Sequence, residues 1–325
     1  MSVIISGSLA YDTVCFFKGR FGEMLIPGEL SHLNITFLAG RLERHFGGCA
    51  GNIAWSSRLL GGSPRILAQL GRDGGEYRRR FEEAGISLEL VPTLPGFWTA
   101  QAFITVDSAG NQLTTFHEGA MAAPRTLGSR EAAGVTLAHI APGGVAAMSD
   151  QGRFFSSNGI PYVFDPGQTT SQISPDELRR LAKGARLLCV SEYEEKLLEE
   201  RTGLTRRELA SGRRVLLVTY GSAGSVFYLP DGSEVEVAAV PASSVADPVG
   251  AGDAYRGGLL RGLEAGLGWK ECGQLGATMS SFKIEHGGGQ GYSPSIGEIA
   301  ERYEDAWRES LPLPVNGREK LPEKS

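Results

Sequence analysis

Short apolar runs alternate with stretches of helical spacing along most of the chain. The runs 2–6, 65–70, 136–140, 161–165, 185–190 and 215–219 are partly β-branched and often end at Gly, Pro, Ser or Asp, which predicts buried strands. Between them, 52–60, 75–84, 175–183 and 192–201 place apolar residues at helical intervals. Such alternation predicts an α/β domain, with a mostly parallel sheet covered by helices on both faces. After residue 219 the pattern changes to a hairpin, 225–229 and 234–240 around Pro230-Asp231-Gly232, followed by three helices.

Two stretches break the alternation. Residues 14–39 and 99–116 show a period of two with Gly and Pro turns, and Asp107-Ser108-Ala109-Gly110-Asn111 reads as a hairpin turn. Together they predict one small sheet lying over the main domain. The folded unit is expected to span 1–311, and the Pro-, Lys- and Glu-rich tail 312–325 is expected to be loosely held.

Composition narrows the class. The chain has 325 residues, 41% hydrophobic and 21% charged, as in ordinary globular proteins. It contains no apolar run of about 18 residues, which argues against a membrane partner. Its start reads as a strand and lacks the basic opening of a secretion signal. Cys15, Cys49, Cys189 and Cys272 are far apart and form no CxxC pair, so reduced thiols and a cytoplasmic location are expected. A net charge of −5 without a basic run argues against a nucleic-acid surface. The five histidines are scattered, and no pair has metal-site spacing. Missing G-x-G-x-x-G after the first strand, and missing G-x-x-x-x-G-K-[ST], disfavour dinucleotide-binding and P-loop folds.

Candidate chemistry sits in two glycine-rich segments. Asp247-Pro248-Val249-Gly250-Ala251-Gly252-Asp253 precedes a helix expected over 254–265, with Leu259, Leu260 and Leu263 at helical spacing. Small residues at 250–252 allow close approach of a ligand, and amides at a helix start hold negative charge. Asp253 is then either a helix cap or a general base beside an anion cradle. Phe46-Gly47-Gly48-Cys49-Ala50-Gly51-Asn52 also leads into a helix; Asn52 is either a cap or a contact for sugar hydroxyls.

Taken together, the segments resemble the two signatures of the ribokinase-like (PfkB) kinases, GG-x-x-x-N and D-x-x-G-A-G-D. Gly7-Ser8-Leu9-Ala10-Tyr11-Asp12 looks like the family's first strand, and Thr219-Tyr220-Gly221-Ser222-Ala223-Gly224 like its nucleotide turn. Ser191-Glu192-Tyr193-Glu194 stands where the family has N-x-x-E, with Ser replacing Asn. Phe116-His117-Glu118-Gly119, Asp165-Pro166-Gly167-Gln168 and Glu285-His286-Gly287-Gly288-Gly289-Gln290 resemble words of bacterial adenosine kinases within that family.

The resemblance implies a three-layer α/β/α sandwich whose small β-sheet lid is formed by 13–46 and 97–120. It implies a phosphotransferase acting on an alcohol group, passing phosphate from ATP to the 5′-hydroxyl of adenosine. Asp253 would be the base, and the amides of Gly250, Ala251, Gly252 and Asp253 the anion hole. Ser8, Asp12, Gly48 and Asn52 would hold the ribose, with Phe116 and Gln168 near the base. Ser191, Glu194, Thr219, Gly221 and Gly224 would bind ATP. Glu194 would hold Mg²⁺ through water, Asp247 a monovalent cation such as K⁺, and the run 285–290 would lie near the adenine end of the ATP pocket. Ala102 stands where a second aromatic commonly flanks the base, and Phe103 falls on the opposite strand face. A homodimer paired through the lid is a further expectation. The alternatives are a sugar kinase, a kinase for another nucleoside, or a nucleotide-binding regulator with a lapsed site.

Overall fold

The structure, a computed structural model, describes residues 2–25, 34–125 and 127–314. Most of the tail and the piece 26–33 of the first small-sheet stretch therefore lie outside the described residues.

The strands in chain order are β1 Ser2–Ser6, β2 Ala10–Phe17, β3 Ala39–Gly47, β4 Arg65–Leu67, β5 Leu70–Gly71, β6 Thr93–Leu94 and β7 Ala100–Val106. They continue as β8 Gln112–His117, β9 Val135–Ile140, β10 Tyr162–Phe164, β11 Leu187–Ser191, β12 Val215–Thr219, β13 Ser225–Tyr228 and β14 Glu234–Val237. The large sheet runs β14-β13-β12-β11-β10-β9-β1-β4. It is parallel from β4 to β12 and antiparallel at the β12-β13-β14 edge.

Successive strand residues point to opposite faces, so the apolar runs feed two separate cores. Val3, Ile5, Leu187, Cys189, Val215 and Leu217 pack with Trp55, Phe81, Leu259, Leu275 and Met279 on one face. Ile4, Leu188, Val190, Leu216 and Val218 pack with Met148, Phe155, Leu181 and Leu198 on the other. This is the mostly parallel sheet with helices on both faces that the alternation predicts, beside a second, smaller sheet.

The small sheet runs β3-β2-β7-β8. In register, His45 lies opposite Asp12, Asp12 opposite Ala102, and Ala102 opposite Phe116. The turn after β7 is locked by Asp107, which accepts N–H bonds from Ala109 and Asn111 at 2.9 Å each and from Phe21 at 3.1 Å. The Asn111 side-chain amide and these backbone groups hold the Asp107 carboxyl down to about 2. All four cysteines are free thiols, and no described helix is long and apolar enough to cross a membrane.

The sequence pattern misplaced some boundaries. The run 65–70 is two strands, β4 and β5, interrupted at 68–69. The helix expected from residue 254 begins at Ala251. A helix over Val145–Ser157 was not anticipated, because its buried side carries Ser149, Gln151 and Gly152 among its apolar residues.

Candidate active site

The C-terminal ends of the parallel strands open into one cleft of about 630 Å³, covered on one side by the small sheet. Open parallel sheets bind ligands at this edge, because the loops there leave strands whose ends are otherwise unoccupied. Ser8 follows β1, Pro142 follows β9, Asp165 follows β10, and Ser191 and Thr219 end β11 and β12. Gly48, Asn52, Gln168, Glu194, Gly221, Gly250, Gly252 and Asp253 line the same space, as do Asp12 and Phe116 from the small sheet.

Two backbone conformations make the cleft's edges. Gly48 has φ +86°, and a Cβ there would stand 2.6 Å from Ala10 N and from Ser8 O. The strand that starts the cleft and the helix Cys49–Leu59 therefore meet backbone to backbone, with Cys49 N–H donating to Ser8 Oγ at 3.0 Å. Gly250, at φ +84°, starts the helix Ala251–Glu264. A side chain is strained at that φ. Because the helix begins earlier than expected, Asp253 lies inside its first turn and is not its N-cap. By position, the N–H groups of Gly252 and Asp253 have no intrahelical acceptor and carry the positive end of the helix. The N–H of Ala251 turns back to Pro248 O at 3.2 Å, and Ala251 does not line the cleft.

Asp253 keeps part of its surface open to this space. Asn52 Nδ2 donates to Asp253 Oδ2 at 2.9 Å, which aims the carboxylate. Burial pushes the Asp253 pKa up; the bond from Asn52 and the charge of Arg256 oppose that. Asp12 is pushed up to about 6, first by burial and then by the charges of Asp253 and Asp247. Arg256 and Asp165 form a buried ion pair at the floor, in which Arg256 Nε donates to Asp165 Oδ2 and Arg256 NH1 donates to Gly252 O at 3.2 Å. The pair is therefore tied to the glycine loop through backbone.

At the other end, Ser191 starts the helix Glu192–Thr202 with a reciprocal cap: Ser191 N–H donates to Glu194 Oε2 at 2.7 Å, and Glu194 N–H donates to Ser191 Oγ at 3.3 Å. Serine at 191 thus has a structural reason, since serine is a strong N-cap. Both side chains also line the cleft. No cluster of three His, Cys, Asp or Glu side chains able to hold a metal exists among the described residues. A Mg²⁺ ion here would take most of its ligands from phosphate oxygens and water, with Glu194 as the carboxylate within reach; that fits its usual chemistry.

Besides Ala251, three further expected residues stand apart from the cleft lining. Gly224 is buried in the turn after β12, where its carbonyl accepts from Tyr220 N–H at 2.8 Å. Asp247 faces the region behind the loop, where its Oδ2 accepts from Gly288 N–H at 3.0 Å. Gln290 Nε2 donates to Tyr77 Oη at 2.6 Å and to Asn52 Oδ1 at 3.3 Å, bracing Asn52 from behind.

Sequence reasoning did not single out Arg256, Ile104, Gln112 or Thr114, all in the lining. The last three were recoverable by alternation, since they share the face of Ala102 and Phe116. Phe103 lies on the other face, as expected, and is about half exposed.

The pfkB family carbohydrate kinase profile matches residues 21–296. The nucleoside kinase of Methanothermobacter thermautotrophicus is 31% identical over 311 residues, 93% of this chain and 98% of that protein. Burkholderia thailandensis nucleoside kinase in complex with inosine is similar at a TM-score of 0.85 and 38% identity, covering 95% of this chain and 99% of that one. The same kinase in complex with ADP-inosine gives 0.82 and 39%, covering 95% and 97%. Methanocaldococcus jannaschii nucleoside kinase, described as an archaeal member of the ribokinase family, gives 0.83 and 26%, covering 94% and 99%.

Proposed function

From the premise that the chain belongs to the PfkB carbohydrate kinase family and is a phosphotransferase acting on an alcohol group, we propose that it phosphorylates the 5′-hydroxyl of purine nucleosides, adenosine foremost, at the expense of ATP. The observation that carries this reading is the Asn52–Asp253 contact at the mouth of the Gly250 loop, facing Asp12 and Phe116 across one cleft. The similar kinase bound to inosine and to ADP-inosine supports a nucleoside in the acceptor place and ATP as donor.

The reaction follows from the placement of these groups. Ser8, Asp12 and Asn52 offer hydrogen bonds to ribose hydroxyls, and Phe116 offers a face to the base. Asp253 takes the proton of the 5′-hydroxyl as its oxygen bonds to the γ-phosphorus. The bond from phosphorus to the β-γ bridging oxygen breaks, and its electron pair leaves with ADP. The amides of Gly252 and Asp253 stabilise the charge spread over the phosphoryl oxygens. Ser191, Glu194, Thr219 and Gly221 line the part of the cleft assigned to ATP. When bound, Mg²⁺ would offset charge on the ATP oxygens.

Ala102 favours a second reading, because it leaves one base face without an aromatic partner, which a free sugar would not need. A coupled ADP-release screen over adenosine, guanosine, inosine, cytidine, ribose and fructose separates the two. The purine nucleosides are expected to exceed ribose and fructose by about 100-fold or more in kcat/KM, since an aromatic contact and base-edge bonds contribute several kcal/mol. Ribose turned over as well as adenosine would overturn the nucleoside assignment.

A further inference from the structure

Behind the glycine loop lies a lysine with no surface at all. Lys283 belongs to the helix Trp269–Ile284, and its side chain is 0% exposed. Its Nζ donates to Asp247 O at 2.8 Å and to His286 O at 2.9 Å, and stands 3.4 Å from Asp247 Oδ2. An ammonium has three N–H donors and no acceptor, and here it meets three oxygens. The stem runs directly behind the loop, for a Cβ at Gly250 would lie 3.4 Å from Lys283 Cε. Asp247 is held from its other sides by Val249 N–H at 2.9 Å and Gly288 N–H at 3.0 Å, while the N–H groups of Ala246 and Asp247 donate to Ile284 O.

That arrangement does not fit a monovalent cation bound at Asp247. The carbonyls of Asp247 and His286 and the Asp247 carboxylate already satisfy a positive charge, and the lysine stem fills the space beside them. We propose that Lys283 is the resident cation of the anion loop: its ammonium ties the segment before Gly250 to the end of the Trp269–Ile284 helix, and the protein works without K⁺. Lys283 is a positioning residue, since it touches the loop from behind and lines no part of the cleft. A cation here offsets the Asp247 carboxylate, whose charge would otherwise oppose a phosphoryl group at the loop. Burial draws the lysine pKa below its ordinary value, and Asp247 opposes that draw.

The inference rests on the loop being the phosphate-receiving element, and its test separates the two claims. Wild-type protein is assayed with ATP and adenosine in tetramethylammonium chloride, with and without KCl. ADP-induced thermal shifts are recorded in the same buffers, so this readout stands even if no acceptor is turned over. Turnover and shift are expected to agree within about twofold with and without K⁺, because the site holds its own charge. Activation by K⁺ of about tenfold or more would overturn the proposal, whatever the variants do. Lys283→Ala is expected to lose about 30- to 300-fold in kcat with KM for adenosine nearly unchanged, the scale of losing one oxyanion contact. Propylammonium, which replaces the missing stem and charge, or K⁺ is expected to restore at least about tenfold of that loss and to raise the variant's melting temperature without affecting the wild type. Loss that neither cation restores would make Lys283 a packing residue only. If Lys283→Ala does not fold, Lys283→Met keeps the stem without the charge, and the wild-type comparison still decides.

Discussion

Asp253 carries opposing influences within a few ångströms: burial favours its proton, while the Asn52 amide and the Arg256 charge favour its loss. A base that is to accept a proton at neutral pH needs such a balance. Asp253→Asn keeps the size of the side chain and removes the proton acceptor. Its kcat is expected to fall about 10²- to 10⁴-fold while ADP and adenosine affinities, measured by calorimetry, stay within about threefold. Turnover within about fivefold of wild type would refute the assignment. Asp12 allows a second test with a defined sign. Its folded pKa of about 6 lies above the ordinary 3.8, so the protonated form is favoured by folding. Its contribution to stability is thus complete at acid pH and is lost as pH rises towards and through about 6. Asp12→Asn should then stabilise the protein at pH 8 by roughly 1–2 kcal/mol, less than the nominal ~3 because water reaches the group, and by almost nothing near pH 4. Removing the charge also lowers the pKa of Asp253, so whatever turnover remains should persist to lower pH than in wild type. Equal stabilisation at both pH values, read by differential scanning fluorimetry, would show that Asp12 is not buried as a charge.

Secondary-structure elements were legible where a period ran undisturbed, and obscure where a single residue set the boundary. β1 and β12 fall where the apolar runs place them, because both faces of these strands are buried. The helix Ala251–Glu264 starts three residues earlier than its leucine spacing suggests; the start is set by the left-handed Gly250, which contributes nothing to an apolar period. Ser191 looks like a loss when set beside the family pattern, yet it caps the Glu192–Thr202 helix reciprocally with Glu194. Such a bond depends on where β11 ends, which spacing alone does not locate to one residue. Alternation along β7 and β8 did separate Ala102 and Phe116 from Phe103. Charged residues were the hardest to place. Nothing in the pattern singled out Arg256 or Lys283, and only packing reveals one paired with Asp165 under the glycine loop and the other buried behind it. A charge is hidden this way only when the fold brings partners from distant segments, 91 residues away for Arg256 and 36 for Lys283.

On the scale of the whole molecule, both sheets supply side chains to the one cleft. The residues assigned to ATP come from the ends of β11 and β12 in the large sheet, whereas Asp12, Ala102, Ile104, Thr114 and Phe116 come from the small one. On the proposed assignment the acceptor would be held between the sheets and the donor by the large sheet alone. Phe116 separates these roles, because it is about half exposed and sits on the cleft face with Ala102 as its cross-strand neighbour. Removing it should expose no core and leave the ATP end untouched. Phe116→Ala is expected to weaken adenosine binding by about 5- to 30-fold, the value of one aromatic face against a base. ADP binding, measured in the same calorimeter, should change by less than about twofold, and ribose turnover, if any, should not fall, since a free sugar lacks the base that Phe116 is assigned to meet. A parallel loss for adenosine and ADP would mean that the small sheet closes over both ligands as a unit, and that the division between the sheets does not hold.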